Sequence, residues 1–385
     1  MGRLQHDGAP TLNGTAGALI ALLDAFLVNG FGTKAVDSAT VTDGICRMNI
    51  TGGSAAQDHC VIQVAGITGD GVALNGPQRV KAATASYVEF PCDLPDGPLT
   101  GTITFKIAPA GWSKEFTGTN VAVYRSNDIS GTRMFLRVDD TGALDARVTG
   151  YEGMSDVSNG VGPFPSATQV AGGGYWPKAS SAGATQRAWT VVADSKSFLI
   201  HTHTAASSLG VSGSVWAFGD FDSLKNGDSY ACALQCAESS VSSSPSVQTS
   251  SVEYISPASG SSTFIARSFT HVGSSIRGIH GVEAFITGAG VSGAVAGSMT
   301  PNYPNGPGNA LLLTRKLIGE SAVGLRGRLR GVHIPAQNCH ASFSWCDTVD
   351  GLGGRKLLAV KCGSPAGTAS AGVLFFDITG PWGDE

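Results

Sequence analysis

From Val36 onward the sequence does not hold one apolar rhythm for long. Short stretches that alternate apolar and polar residues are cut by turn residues. Asp43-Gly44 interrupts "AVDSATVTDGICRMNI", "TGDGVALNGPQ" follows "HCVIQVAGI", Asp194 to Lys196 break "AWTVVADSKSFLIHTHT", and "LKNGD" separates "SVWAFGDF" from "SYACALQC". An Asp-Gly pair tolerates positive φ at both central positions of a two-residue turn, whose twist matches that of the strands it joins, so this punctuation predicts hairpins. A chain built this way buries its apolar residues by laying many short strands together in barrels or sandwiches. The expected fold class is mainly β.

One stretch breaks the pattern. "LNGTAGALIALLDAFLVNGFG", Leu12 to Gly32, is apolar enough to raise a membrane anchor or a signal peptide. Its core, Ala16 to Val28, is shorter than the roughly 20 residues that span a bilayer, and Asp24 interrupts it. Arg3 is offset by Asp7, and Asn29-Gly30-Phe31-Gly32 follows where a small-residue cleavage site belongs, so a secretory signal does not fit. Helix punctuation fits: Thr15 as the cap, Gly30 as the stop. Leu19, Leu22, Leu23 and Phe26 fall at i, i+3, i+4 and i+7, with Ile20 and Leu27 widening the face. This short helix must bury that face, either against its own β-domain, the commoner fate of an amphipathic helix, or against a neighbouring subunit. The second alternative makes Leu19, Leu22, Leu23 and Phe26 subunit-interface candidates.

The closely spaced strands from Val36 to Ala108 suggest a small β-barrel or sandwich. The expected organisation is an arm and helix over residues 1–35, a small β-barrel over 36–108, and a larger antiparallel β-sandwich region over 109–385. In "RMFLRVDD" the two-residue period places Met134, Leu136 and Val138 inward and Arg133, Phe135 and Arg137 outward. A Ser-rich excursion at 237–252 reads as a surface loop or linker and marks a sub-boundary if the last third forms its own domain. "SMTPNYPNGPGNA", Ser298 to Ala310, is an irregular loop. "STFIARSFTHV", "HGVEAFITGAG", "LLLTRKLIG", "GRLRGVHIP", "RKLLAVKC" and "GVLFFDITG" are strand-like.

Only 14% of residues are charged and 53 are Gly, a composition common in extended β-proteins and in subunits that bury much surface in assemblies. The net charge of −4 gives no basic footprint, so no nucleic-acid partner is expected. The local exception is "RGRLRG", Arg326 to Gly331. Its alternating arginines read as a solvated strand face or an intersubunit salt-bridge site ahead of a phosphate site. The eight cysteines are scattered without a CxxC pair, as suits free buried thiols in a reducing cytoplasm. His201 and His203 in "HTHT" share one strand face at a spacing that suits two metal ligands, with His271, His280 or Asp194 as a possible third; an exposed polar face is the plainer reading. Asp220, Asp222, Asn226 and Asp228 cluster like calcium ligands, but Leu224 breaks the alternation, and turn chemistry explains them better. A glycosidase would need a carboxylate pair such as Glu115 with Asp139 or Asp220 with Asp222, and nothing selects one. No catalytic residue, metal or cofactor is expected. Tyr175 and Trp176 in "GGGYWPK", where the flanking Gly and Pro imply a surface loop, remain ligand candidates, as stacking surface for a host glycan or anchors for a neighbouring subunit. Trp216 and Phe218 are expected in the core.

The order of a strand with a DG turn, then "VIQVAG", "LNGPQRV" and "ATASYVEF", resembles the small β-barrel modules of tailed-bacteriophage fibre and baseplate proteins. "IAPAGWSKEFTGTNVAVYRSND", "TRMFLRVDDTGALDARVTGYEGMSDV", "VWAFGDFDSLKNGDSYACAL" and "LRGRLRGVH…GGRKLLAV…FFDITGPW" extend a resemblance to uncharacterised virion proteins of tailed phages of proteobacteria over most of the chain. The resemblance implies a structural virion component, first of the tail or baseplate, assembled as a ring or trimer with copies of itself and other virion proteins. The free thiols and the short helix add the expectation of folding in the bacterial host cytoplasm and of no membrane partner. Head decoration or a head fibre, and a receptor- or glycan-binding tail tip, are the alternatives. The resemblance supplies no catalytic residues.

Overall fold

The computed structural model describes residues 2–3, 8–203, 213–240, 261–282, 303–304, 309–321, 323–335, 339, 342–343, 347–363, 371–380 and 382. Most of the Ser-rich excursion, the Pro-rich loop from Ser298 and the stretch after Val282 lie outside them. The chain is mainly β. Strands pair antiparallel throughout the described residues, apart from an isolated parallel bridge between Gly213 and Cys362. It divides into two compact units: 1–11 with 21–111, and 12–20 with 112–385. The division falls inside the opening helix and again at Gly111, not at residues 35 and 108.

The first unit contains the strands β1 (Phe31–Ala35), β2 (Ser38–Thr42), β3 (Ile45–Asn49), β4 (Val61–Thr68), β5 (Gly76–Arg79), β6 (Ala82–Ala83), β7 (Tyr87–Pro91) and β8 (Gly97–Ile107). Asp43 and Gly44 take φ of 50° and 72° and join β2 to β3 as the dipeptide predicts. The hydrogen-bonded order is β5-β4-β8-β2-β3-β7-β6, with β1 also on β8. The two edge strands, β5 and β6, are separated in sequence only by Val80 and Lys81. Seven strands laid flat would hold their edges about 29 Å apart at ~4.8 Å per strand, whereas the three peptide links between Arg79 and Ala82 reach only about 11 Å. The sheet therefore curls into at least a half-barrel. Its concave face carries the inward set of each alternating strand: Val41, Cys46, Met48, Ile62, Val64, Val88, Phe90 and Phe105 are all buried.

The second unit begins with a meander, β9 (Trp112–Gly118), β10 (Val121–Ser126), β11 (Phe135–Asp139) and β12 (Asp145–Met154). One half of β12 pairs with β13 (Gly160–Phe164) and the other half with β14 (Gly174–Pro177). Next come β15 (Gly183–Ala193), β16 (Ser197–His203), β17 (Ser214–Asp220) and β18 (Cys232–Ala237). Asp194 accepts bonds from the Lys196 and Ser197 amides at the β15–β16 turn. β18 continues through β19 (Ser261–Ile265), β20 (Ile276–Val282), β21 (Leu313–Glu320), β22 (Gly324–Pro335) and β25 (Ala371–Asp377) to β24 (Lys356–Gly363) and β23 (Thr348–Asp350). The ladder between β18 and β19 carries the sheet across the Ser-rich stretch, and 112–385 cluster as one unit. The core gathers aromatic rings from across this unit: Trp112 and Trp176 each meet Phe198 edge-on at 5.6 and 5.8 Å, and Phe164 stacks on Phe218 at 6.2 Å.

Two local readings need correction. Phe135 does not point outward to solvent; it is buried, stacked on Phe116 at 6.5 Å under the Arg125 guanidinium. "GGGYWPK" is not a surface loop, because Gly174–Pro177 is a strand paired with β12.

Candidate functional site

The opening helix is α-helical over Ala18–Leu23 and continues as a π-helix over Asp24–Asn29, ending at Gly30 with φ of 69°. Leu19, Leu22, Leu23 and Phe26 are all buried within the chain, so as folded they present no surface to a neighbour. Thr15 does not cap the helix with its side chain, which donates instead to Asn13 Oδ1. The capping group comes from far away. Asp140, at the end of the β11 hairpin arm, accepts from the Leu19 and Ile20 amides at 2.7 and 3.3 Å through Oδ2, and its carbonyl accepts from Gly17 N at 2.9 Å. Its Oδ1 meets Lys178 Nζ, which also donates to the Thr15 carbonyl at 2.6 Å. Both side chains of this ion pair are 0% exposed. Burial pushes the Asp140 carboxyl up, and the Lys178 ammonium and the two amides pull against it. Leu12–Gly14 completes the anchor by pairing with β15.

The histidine pair lies in the interior rather than on an exposed face. His201 and His203 are 0% and 1% exposed, with ring centroids 4.4 Å apart, because β16 is covered on both sides. His201 Nε2 bonds the Lys361 carbonyl at 2.8 Å, and burial, with His203 beside it, holds its pKa well below the usual histidine range. The proposed third ligands are engaged elsewhere: His271 with Asp228, His280 with Thr263, and Asp194 with Arg330. Among the described residues no three metal-ligating side chains converge.

Tyr175 and Trp176, adjacent in sequence, point to different environments. Trp176 is buried and donates its indole N–H to the Gln235 carbonyl at 2.6 Å. Tyr175 is half-buried under the Arg147 guanidinium, 3.9 Å from its ring centroid, and Arg147 also donates to its hydroxyl at 2.7 Å. Only Tyr175 keeps ring surface for a ligand.

The carboxylates and arginines form clamps. Asp220 accepts from the Thr132 amide and hydroxyl and ties down the loop before β11. Glu115 accepts from Ser113, while Asp139 engages Arg137 and Thr141, so neither carboxylate pair is held as a catalytic pair by its hydrogen bonds. The arginine strand is not a solvated face. Arg326 is 3% exposed and grips Asp228 with two bonds of 2.9 and 3.0 Å, while a further nitrogen reaches Glu320 at 2.5 Å. Hydrogen bonds from Arg326 and Ser223 overcome burial and hold the Asp228 carboxyl below its ordinary value. Arg267 grips Glu152 through two bonds beside this cluster, and Arg330 spans Asp222 and Asp194 at 2.5 and 2.7 Å. Sequence reasoning singled out Arg326 and Arg330 but not their pairing with Asp228, Asp222 and Asp194, which lie far away along the chain. The chemistry available to such groups is positional: they fix strands and loops to one another. No protein-family model matches the chain, and no curated protein matches it either.

Proposed function

We propose that the chain is a structural protein of a tailed-bacteriophage virion, placed in the tail or baseplate and acting by symmetric assembly with copies of itself and other virion proteins. On this reading the first unit is a small β-barrel module, closed where β5 and β6 meet through Val80 and Lys81, and the second unit is a β-sandwich. One observation carries the functional reading: charge in the second unit is spent on ties between segments remote in sequence. Asp140 to Lys178, Glu152 to Arg267, Asp194 to Arg330 and Asp228 to Arg326 each join different elements. A rigid, cross-tied β-scaffold suits repeated interfaces, where many weak contacts add up through symmetry. The resemblance of the sequence to tailed-phage virion proteins, in order over most of the chain, supplies the particle.

Immunogold labelling of intact particles with an antibody to the purified chain tests the proposal. Gold at the distal tail end is the expected result. Gold on the head would move the chain to decoration or a head fibre, and no labelling of intact or mildly disrupted particles would overturn the virion assignment. Particles carrying Tyr175→Ala should adsorb normally. Lost adsorption would turn the reading toward receptor or glycan binding.

A further inference from the structure

The chain holds six Asn-Gly pairs, of which five lie in the described residues: Asn13-Gly14, Asn29-Gly30, Asn75-Gly76, Asn159-Gly160 and Asn226-Gly227. This dipeptide carries chemistry of its own, because asparagine is thermolabile. The backbone nitrogen that follows can attack the side-chain amide carbon, and a glycine puts no Cβ in the way. Whether it does so depends on how the fold holds the two groups.

Four of the five pairs are held. Asn13 Oδ1 accepts from the Thr15 amide and hydroxyl, and Gly14 lies in a strand where a Cβ would meet the Ser181 carbonyl at 2.1 Å. The Asn75 side chain accepts from the Ile67 amide at 3.0 Å and donates to the Ile67 carbonyl at 2.8 Å. Asn159 donates to Asp156 at 2.8 Å, and Gly160 is paired with Met154. Asn29 lies in the π-helix, and in a helix the Cβ tilts toward the N-terminus, away from the next nitrogen.

Asn226 is different. It is exposed at the turn between β17 and β18, and among the described residues nothing hydrogen-bonds its side chain or the Gly227 N–H. Gly227 is exposed too, at φ of 66°, and no other part of the chain lies within 4 Å of where its Cβ would stand. The residues on either side are tied down. The Lys225 amide donates to Ser223 Oγ at 3.1 Å and its ammonium to the Phe269 carbonyl, while Asp228 is held by Arg326, Ser223 and His271.

The structure assigns Asn226-Gly227 as a site where this chain modifies itself, by ring closure to a succinimide and opening to isoaspartate, inside the segment that carries Asp228 to Arg326. The Gly227 nitrogen bonds to the Asn226 side-chain carbon, and the side-chain nitrogen leaves as ammonia with the proton that the attacking nitrogen gives up. Water then opens the ring. Attack at the side-chain carbonyl gives aspartate; attack at the main-chain carbonyl gives isoaspartate, in which the chain runs through the side-chain carbon. Both products add a negative charge. Only isoaspartate inserts an extra main-chain atom between Lys225 and Asp228, and so disturbs their grips on Phe269 and Arg326. The modification needs no partner and does not depend on the virion reading.

The test is to age the full chain in mildly alkaline buffer, folded and in parallel unfolded in guanidinium chloride. Peptide mass spectrometry follows each asparagine, and an isoaspartyl methyltransferase marks isoaspartate. Asn226 should convert about as fast folded as unfolded, whereas Asn13, Asn29, Asn75 and Asn159 should convert at least tenfold more slowly folded than unfolded. Asn226→Gln should abolish conversion at this position and leave the other sites unchanged. An Asn226 that stays intact in the folded chain, or the other four converting as fast folded as unfolded, would overturn the assignment. Aged chain should unfold at lower denaturant than equally aged Asn226→Gln or fresh Asn226→Asp, and coincident midpoints would overturn the link to the clamp.

Discussion

Lys178→Met is the sharpest perturbation of the buried anchor. It keeps the length and apolar stem of the side chain and removes only the ammonium, leaving the Asp140 carboxylate 0% exposed without its countercharge. Breaking a buried ion pair from one side costs about 3–5 kcal/mol. The two helix amides and the structure around the carboxylate stay in place, so the loss is electrostatic and has a pH signature. With the ammonium gone, the upward push of burial on the carboxyl is opposed less, so the cost falls on its ionised form. A carboxyl with a folded pKa above its unfolded value weakens the fold above the folded pKa, and the penalty vanishes as pH falls toward the unfolded value near 4. The mutant's deficit should therefore be about 3–5 kcal/mol at pH 8 and smaller at pH 5. Urea denaturation followed by tryptophan fluorescence suits the measurement, because all six tryptophans lie at or beyond Trp112, in the unit that holds the pair. Adding Asp140→Asn to Lys178→Met should recover much of the loss at pH 8, since an amide oxygen can still accept from Leu19 and Ile20. A deficit below about 1 kcal/mol at pH 8, well under the 3–5 expected, or one that does not change between pH 8 and pH 5, would refute the electrostatic account.

The other expectations are quicker to check. Hydrogen bonds from Ser130 and Ser195 hold the Asp128 carboxyl down to about 2. Its contribution is complete above the ordinary value near 4 and is lost as pH falls through 2, so Asp128→Asn should flatten the acid limb of a melting-temperature profile. Burial pushes the Cys46 and Cys339 thiols up to about 12 and raises Cys60, Cys232 and Cys236. Ellman's reagent should therefore attack the half-buried Cys92 first, and rapid reaction of more than two thiols in the native protein would contradict this burial. Arg326→Met alone should cost about 3–5 kcal/mol by stranding Asp228 and Glu320, whereas apolar replacement of all three together should cost far less. Equal losses in urea would argue against a charge clamp.

What was legible in the sequence was local. Asp43-Gly44 and Asp194 to Lys196 specify their turns through their own backbone preferences, and the helical face of Leu19, Leu22, Leu23 and Phe26 shows through its 3.6-residue spacing. What was not legible has two physical causes. β16 and β17 are covered on both faces, so polar residues such as His201 and His203 sit at interior positions where alternation carries no message. The other cause is distance along the chain. Thr15 is a reasonable cap in isolation, but it is Asp140 that reaches the first-turn amides, Ile20's from 120 residues away. Arg326 and Arg330 alternate as a solvated strand would, yet their partners Asp228 and Asp194 lie 98 and 136 residues away.

These long-range ties answer a problem that the composition creates. Strands rich in glycine and small polar residues specify their pairing register weakly, because a slip moves little apolar surface between faces. Charged groups buried in pairs add little net stability over apolar replacements, but a slip that separates them leaves each one stranded at a cost of several kcal/mol. In a chain with only 14% charged residues, placing Asp228 opposite Arg326 and Asp140 opposite Lys178 penalises wrong registers far more than it strengthens the right one. The loss expected in Arg326→Met, set against the smaller loss when the whole cluster is made apolar, separates these two roles. On the assembly reading proposed above, a subunit that must match identical copies depends on one unique arrangement more than on extra stability, and a clamp that selects register suits that need.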